Sequence, residues 1–330
     1  MACCGSSGEA RIRWVKHGLV KNAGHVLTWL GLIVFIFTSS PATGALPGIT
    51  RTERTLQKDR RVVADRLRRK KNPGERDDSF LNAVGAVWSY SVDKSGSGYA
   101  ASTGARAATG FLIDRCHVLT NMHVVYTDDV VVNPPLSHSV AFAVGQTESD
   151  RDRGALQGLK FLLPGMVIAR GDALIIDGVV HNPADDWAVI RLATNVDSTI
   201  SPMAVEAVDL AQLPKYPVVS SAGYPSDHRT RRGNGFKLKD LWRSEGEVVG
   251  VTPVSSMAAL VQTTIQTTPG NSGGPIFGNF NGHQHVVIGI VQSTRGNGID
   301  VSESEPNVGL LFTASTIASI TEAQAQDRCR

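Results

Sequence analysis

An all-β fold is the expectation for most of this chain, and three observations carry it. From Phe80 onward, short apolar runs recur near residues 84–90, 109–114, 117–121, 139–145, 165–169, 187–192, 217–222, 245–251, 259–265, 286–292 and 309–313, separated by Gly, Pro, Asn and Asp. Many short strands at this spacing point to a sandwich or a barrel. Asn281-Gly282 suits the tight turn of a hairpin. Residues 270–275, GNSGGP, cannot continue a helix and would weaken a central strand, so they form a loop. Near the end, residues 313–322, TASTIASITE, read as a helix, capped at its start and with Ile317 and Ile320 on one face.

The 330 residues are 42% hydrophobic and 19% charged, enough for a large core, and suit one two-part unit plus processing segments. The formal charge of +3 conceals an asymmetry. Residues 1–77 hold 15 Lys/Arg against 6 Asp/Glu, whereas residues 78–330 hold 18 against 24. The part expected to fold is thus mildly acidic, which disfavours nucleic acid as a partner.

At the N-terminus, Arg11, Arg13, Lys16 and Lys21 precede the apolar run VLTWLGLIVFIF at 26–37 and the small residues TSSPATGA. Residues 1–45 therefore read as a secretory signal, with Thr43-Gly44-Ala45 permitting cleavage before Leu46. An uncleaved anchor is the competing reading, because no acidic or basic side chain lies between Lys21 and Arg51; only in that case would residues 26–45 hold the chain to a membrane. The strongly apolar core is shorter than the ~20 residues a span wants. Residues 46–79 are basic and poor in apolar side chains, with the run Arg68-Arg69-Lys70-Lys71, and read as a propeptide or as a linker, disordered or a solvated helix. The run lacks the interleaved aromatics of a nucleic-acid arm. The folded unit is expected over residues 80–330.

The chain's chemistry centres on residues 266–277, QTTPGNSGGPIF. Glycines around a serine let one hydroxyl project while the amides of Gly270 and Ser272 converge on one point, the geometry of an oxyanion hole beside a nucleophile. G-x-S-x-G also occurs at nucleophile elbows of α/β-hydrolases, but these need an acid and then a histidine after the serine. No Asp or Glu lies between Ser272 and the last histidines, His283 and His285. A serine opening a helix, with its acid first, is disfavoured by Pro275. The order His, Asp, Ser remains. It is met by His123 in VLTNMHVV and by an aspartate in DDWAVIRL.

With GFLIDRCHVLTNMHVV, DWAVIRL and GNSGGP in this order, the chain resembles the trypsin-like serine peptidases over roughly residues 80–330, most nearly the bacterial secreted branch that includes the glutamyl endopeptidases. The resemblance implies two six-stranded antiparallel β-barrels with a C-terminal helix and a cleft between the barrels. It implies a serine endopeptidase in which Ser272 attacks, His123 moves the proton and an aspartate orients His123. Asp186 rather than Asp185 fits the register Asp-x-Ala-aliphatic-aliphatic. Gly270 and Ser272 would bind the oxyanion, and Gln266, Thr267, Val291, Gln292 and Ser293 would line the substrate pocket. Gln266 is neutral, which disfavours a preference for Lys or Arg; Thr267 is similar to the hydroxyl of the Glu-specific branch, but Val291 stands where that branch has a histidine. Substrate preference stays open. Asn271 replaces the aspartate that pairs with a newly freed N-terminus in vertebrate digestive members, so that activation switch is not expected here.

No cofactor or metal is expected, since His283-Gln284-His285 lacks further ligands at zinc-like spacing. With Cys3 and Cys4 in the segment to be removed, Cys116 and Cys329 remain, and the family's helix position implies that they pair; the alternative is two free thiols. We expect a monomer, secreted or periplasmic, acting on polypeptides. A quality-control protease of the HtrA kind without its PDZ domain is a second reading, since 58 residues follow Ser272, enough to finish a barrel and a helix. A non-catalytic relative that binds through its cleft is a third.

Overall fold

The computed structural model describes residues 62–63, 78–89, 106–126, 139–144, 162–176, 179–209, 217–225, 241–255, 258–280, 282–293 and 301–329. The expected signal at 1–45, the basic run at 68–71 and the turn residue Asn281 lie outside them. In chain order the strands are β1 (Val62–Val63), β2 (Val84–Ser89), β3 (Arg106–Leu112), β4 (His117–Thr120), β5 (Ser139–Val144), β6 (Leu162–Arg170), β7 (Leu174–Ile176), β8 (Val179–His181), β9 (Ala188–Leu192), β10 (Val218–Gly223), β11 (Trp242–Ser255), β12 (Ala258–Thr263), β13 (Pro275–Phe280), β14 (His283–Ser293) and β15 (Asn307–Leu311). The helices are the single turn α1 (Met122–Val125) and α2 (Ala314–Gln326).

Two antiparallel barrels result, as the resemblance implies. The first closes in the order β2-β3-β4-β9-β6-β5. In the second, the order is β11-β10-β13-β14-β15-β12, and the 14-residue β11 closes the ring by pairing with β10 along its first half and β12 along its second. Register irregularities at Val248/Gly250 and Pro253/Ser255 interrupt the pairing of β11 with β12. β1 adds as an edge strand on β11, Val62 opposite Arg243 and Val63 opposite Trp242.

Strands buried on both faces explain why the runs read as continuously apolar rather than alternating. β4 is buried at all four positions. β2 packs inward and, on its other side, against α1 and β10. One apolar cluster spans Phe111, Leu119, Phe142 and Ile190 of the first barrel and Phe277, Ile290 and Phe312 of the second, so the barrels share a common layer. Burying one such Phe or Ile contributes about 1.5–3 kcal/mol relative to exposure.

Asp78 is also part of this body. Its carboxylate accepts from Arg243 Nη1 at 2.8 Å; both side chains are nearly enclosed, and the guanidinium lies 5.4 Å from the centre of the Phe277 ring.

At the other end, Thr313 Oγ1 accepts from the amide of Thr316 and caps α2. The helix buries Thr316, Ile320 and Ala323, and Ile317 packs on the core edge. Cys329, just beyond it, is disulfide-bonded to Cys116 in the turn between β3 and β4, with Cα atoms 5.7 Å apart. The bond closes a loop of 213 residues, worth about 5 kcal/mol in the chain-entropy account.

Candidate active site

Each candidate residue stands where a regular element ends. β4 stops at Thr120, Asn121 takes an extended conformation, and one helical turn begins, putting His123 at the barrel's rim with 24% of its side chain exposed. Asp186 follows the 3-10 turn Pro183–Asp185, which is entered through Asn182 in the left-handed conformation, and it immediately precedes Trp187 and β9. It is fully buried. Both its oxygens hold His123: Oδ1 accepts the His123 amide at 2.9 Å and Oδ2 accepts His123 Nδ1–H at 2.6 Å. That pairing sets the ring's orientation and tautomer, leaving Nε2 as the atom that can take a proton. Asp185 instead accepts from Asn182 Nδ2 at the surface. Asn121 adds a brace through Nδ2, donating to the Asp186 carbonyl at 2.8 Å.

The serine loop is held mainly by backbone. The Asn271 amide donates to the Thr268 carbonyl at 3.0 Å, with Pro269 and Gly270 (φ 100°) in the middle, the pattern of a type II turn. The Gly274 amide returns to the Asn271 carbonyl at 2.8 Å, and Gly273 (φ 80°) donates to Val291 at 2.9 Å. The Gly270 and Ser272 amides donate to no protein group among the described residues. Asn271 is buried, and its side-chain oxygen accepts from the Thr268 amide at 3.3 Å. Ser272 Oγ lies 3.4 Å from the Gln292 carbonyl.

Thr109 on β3, which no sequence pattern singles out, ties this loop to the first barrel. Its amide donates to the Ser272 carbonyl at 2.9 Å, and its hydroxyl donates to the Gly270 carbonyl at 2.7 Å across 161 residues of chain while accepting the Tyr224 amide at 3.1 Å. Thr120, three residues before His123, in turn donates to the Thr109 carbonyl at 2.7 Å. The loop and the histidine turn therefore share one short hydrogen-bonded path.

Gln266, Thr267, Val291 and Gln292 are all buried beside this loop. The Gln266 amide donates to Ser244 Oγ at 2.9 Å, and the Thr267 hydroxyl has no hydrogen-bond partner among the described residues. Gln292 does something the sequence did not suggest: Nε2 donates to the Pro183 carbonyl at 2.6 Å and approaches Asp186 Oδ2 at 3.4 Å. Its side chain thus braces the acid's turn. Ser293 ends β14 opposite Val308. His283 pairs with Glu206 and His285 stacks on Phe80, so the H-x-H pair splits between two partners.

Two closed barrels, with a histidine–aspartate pair on one and a glycine-framed serine loop on the other, define a chymotrypsin-like hydrolase fold. The chain matches the trypsin-like peptidase domain over residues 108–290, more than half its length, and it belongs to that family of serine endopeptidases. Among solved structures it is similar to a Glu endopeptidase in complex with MPD (21% identity over 74% of this chain and 92% of that one, TM-score 0.48). It is also similar to the active form of the Rv3671c protease from M. tuberculosis (16% identity, 76% and 83% covered, TM-score 0.43). No curated protein sequence matches it.

Proposed function

We propose that the chain cleaves peptide bonds through Ser272, His123 and Asp186 by way of an acyl-enzyme. The observation that carries this is the double acceptance of His123 by the buried Asp186 carboxylate, set beside a serine loop whose Gly270 and Ser272 amides make no protein hydrogen bond among the described residues. Ser272 Oγ attacks the carbonyl carbon as its proton passes to His123 Nε2. Asp186 stabilises the resulting imidazolium without taking the proton itself. The oxyanion binds the Gly270 and Ser272 amides, each such donor being worth about 3 kcal/mol. Collapse expels the amine, which leaves with the proton from His123, and water activated by the same ring releases the acyl group. A polypeptide is the substrate, and no cofactor enters any step.

A fluorophosphonate probe tests this directly, because only an activated serine reacts. Stoichiometric labelling of the wild type, absent from Ser272→Ala, is the expected outcome; an unlabelled wild type would leave a non-catalytic cleft. We place the active chain outside the cytoplasm as a monomer freed of residues 1–45, on the strength of the basic start, apolar core and small-residue exit. N-terminal sequencing of exported protein should begin after Ala45, and a start at Met1 rules out cleavage.

A further inference from the structure

The disulfide sits inside a set of groups that a disulfide does not need. Asp114 lies with Cys116 in the β3–β4 turn, His117 opens β4 beside them, and Gln324 reaches Asp114 from α2. Asp114 Oδ1 accepts the amides of Cys116 at 2.8 Å and His117 at 2.7 Å, while Oδ2 accepts His117 Nδ1–H at 2.6 Å and Gln324 Nε2 at 2.7 Å. His117 Nδ1 is 3.5 Å from Cys116 Sγ and 4.0 Å from Cys329 Sγ, and Asp114 Oδ1 is 3.3 Å from Cys329 Sγ. One ligand atom from each of Asp114, Cys116, His117 and Cys329 lies within 4.8 Å of all the others.

A tetrahedral zinc with Zn–S near 2.3 Å and Zn–N or Zn–O near 2.1 Å has ligand–ligand edges of roughly 3.3–3.8 Å. Three of the edges here already lie close to that range. Two thiolates, an imidazole and a carboxylate are the ligand types zinc selects. His117 is fully buried, and its Nε2 has no partner among the described residues. Moving its proton from Nδ1 to Nε2 to free a ligand lone pair therefore breaks no hydrogen bond at Nε2.

We propose that Asp114, Cys116, His117 and Cys329 form a zinc site when the Cys116–Cys329 bond is reduced. Reduction by a dithiol or a phosphine delivers two electrons and, with two protons, turns the disulfide into two thiols while the reductant is oxidised. The entering ion stays Zn²⁺, displaces both thiol protons, and binds the neutral His117 through Nδ1. The sulfurs separate to a non-bonded edge, and the His117–Asp114 contact opens by about 1 Å to admit the metal, whose ligand edges exceed a hydrogen bond in length. The Gln324 amide remains available to the Asp114 carboxylate as an outer partner. The clasp then has two forms, a covalent one for oxidising surroundings and a metal-bound one for reducing surroundings, and α2 stays pinned to the first barrel in both.

The test uses the full chain reduced with a phosphine under anaerobic conditions, titrated with Zn²⁺ against a chromophoric chelator and, in parallel, with Co²⁺. The reduced protein should take up one equivalent, with tetrahedral d–d bands and sulfur-to-cobalt charge transfer; the oxidised protein should take up none at this site. Cys329→Ser and His117→Gln should each weaken uptake at least 100-fold, and zinc should raise Tm of the reduced wild type but not of these variants. A Cys3→Ser/Cys4→Ser chain that still binds one equivalent supports the assignment. No stoichiometric uptake by the reduced chain, uptake lost with Cys3 and Cys4, or uptake surviving both Cys329→Ser and His117→Gln overturns it.

Discussion

The two barrels hold their shares of the candidate site by different means. In the first, His123 and Asp186 are fixed through side chains: a buried carboxylate, a ring nitrogen, and amide braces from Asn121 and Gln292. In the second, Ser272 is fixed through main chain, with two glycines at positive φ and a ladder of amide–carbonyl bonds. The first arrangement depends on the chemistry of particular groups and tolerates little change of element. The second depends on backbone shape, so the side chains around the serine matter mainly for what they exclude. Substitutions should separate these two kinds of dependence.

The largest effect belongs to Ser272→Ala, which removes the proposed nucleophile while leaving the loop's backbone bonds in place. Turnover on a peptide substrate should fall roughly 10⁴- to 10⁶-fold, with His123→Ala similar and the double variant little worse, because the two act as a unit. Unfolding midpoints should barely move. Near-normal activity in Ser272→Ala would break the site assignment.

Asp186→Asn is next, at about 10⁴-fold in kcat with the fold retained, since the amide would hold His123 in the wrong tautomer. Asp185→Asn should cost almost nothing, because its partner is Asn182 at the surface. Equal losses from the two would show that the acid acts through general charge rather than through its bond to Nδ1.

The backbone side of the comparison is sharpened by Gly273→Ala. A Cβ at φ 80° would be driven into the Thr109 carbonyl and the Thr120 hydroxyl, so the loop must shift. The expected cost is about 1–3 kcal/mol of stability from strain. Displacing the serine by ~1 Å should lower turnover on the order of 10²-fold. Assays of chemical denaturation and turnover on one preparation would show whether the two losses travel together.

How far the sequence revealed all this follows the same division. Apolar runs gave most strands, most fully where both faces are covered, as in β4. β7 and β8 escaped notice although Asp177-Gly178 stands between two apolar runs, a recognised hairpin signal. β11 read as seven residues rather than 14, because Pro253 and the register irregularities within its pairing to β12 interrupt the apolar pattern. At the site, motif register led to His123, Asp186 and Ser272, whose spacing along the chain is distinctive. Thr109, Asn121 and the acid-bracing side of Gln292 were illegible, since each acts on a residue 65 to 161 positions away and belongs to a type that is ordinary in a strand or turn.

Thr109 crosses the division between the barrels, and its substitution should have the smallest effect while saying most about their coupling. It belongs to the side-chain-rich first barrel yet serves the backbone-built loop, giving its hydroxyl proton to Gly270 and accepting the Tyr224 amide. Thr109→Val keeps the shape and the main-chain bond to Ser272 but removes the hydroxyl from a partly buried carbonyl and a buried amide. Losing such a hydrogen bond costs about 1–3 kcal/mol. Part of the cost should appear as a looser Gly270 and a weaker oxyanion donor, so kcat should fall roughly tenfold with KM little changed, since that donor acts mainly in the transition state. Ser at this position restores the hydroxyl without the methyl group and should recover most of the rate. A Thr109→Val chain that loses stability but keeps full kcat would mean that the first barrel supports the loop without tuning it.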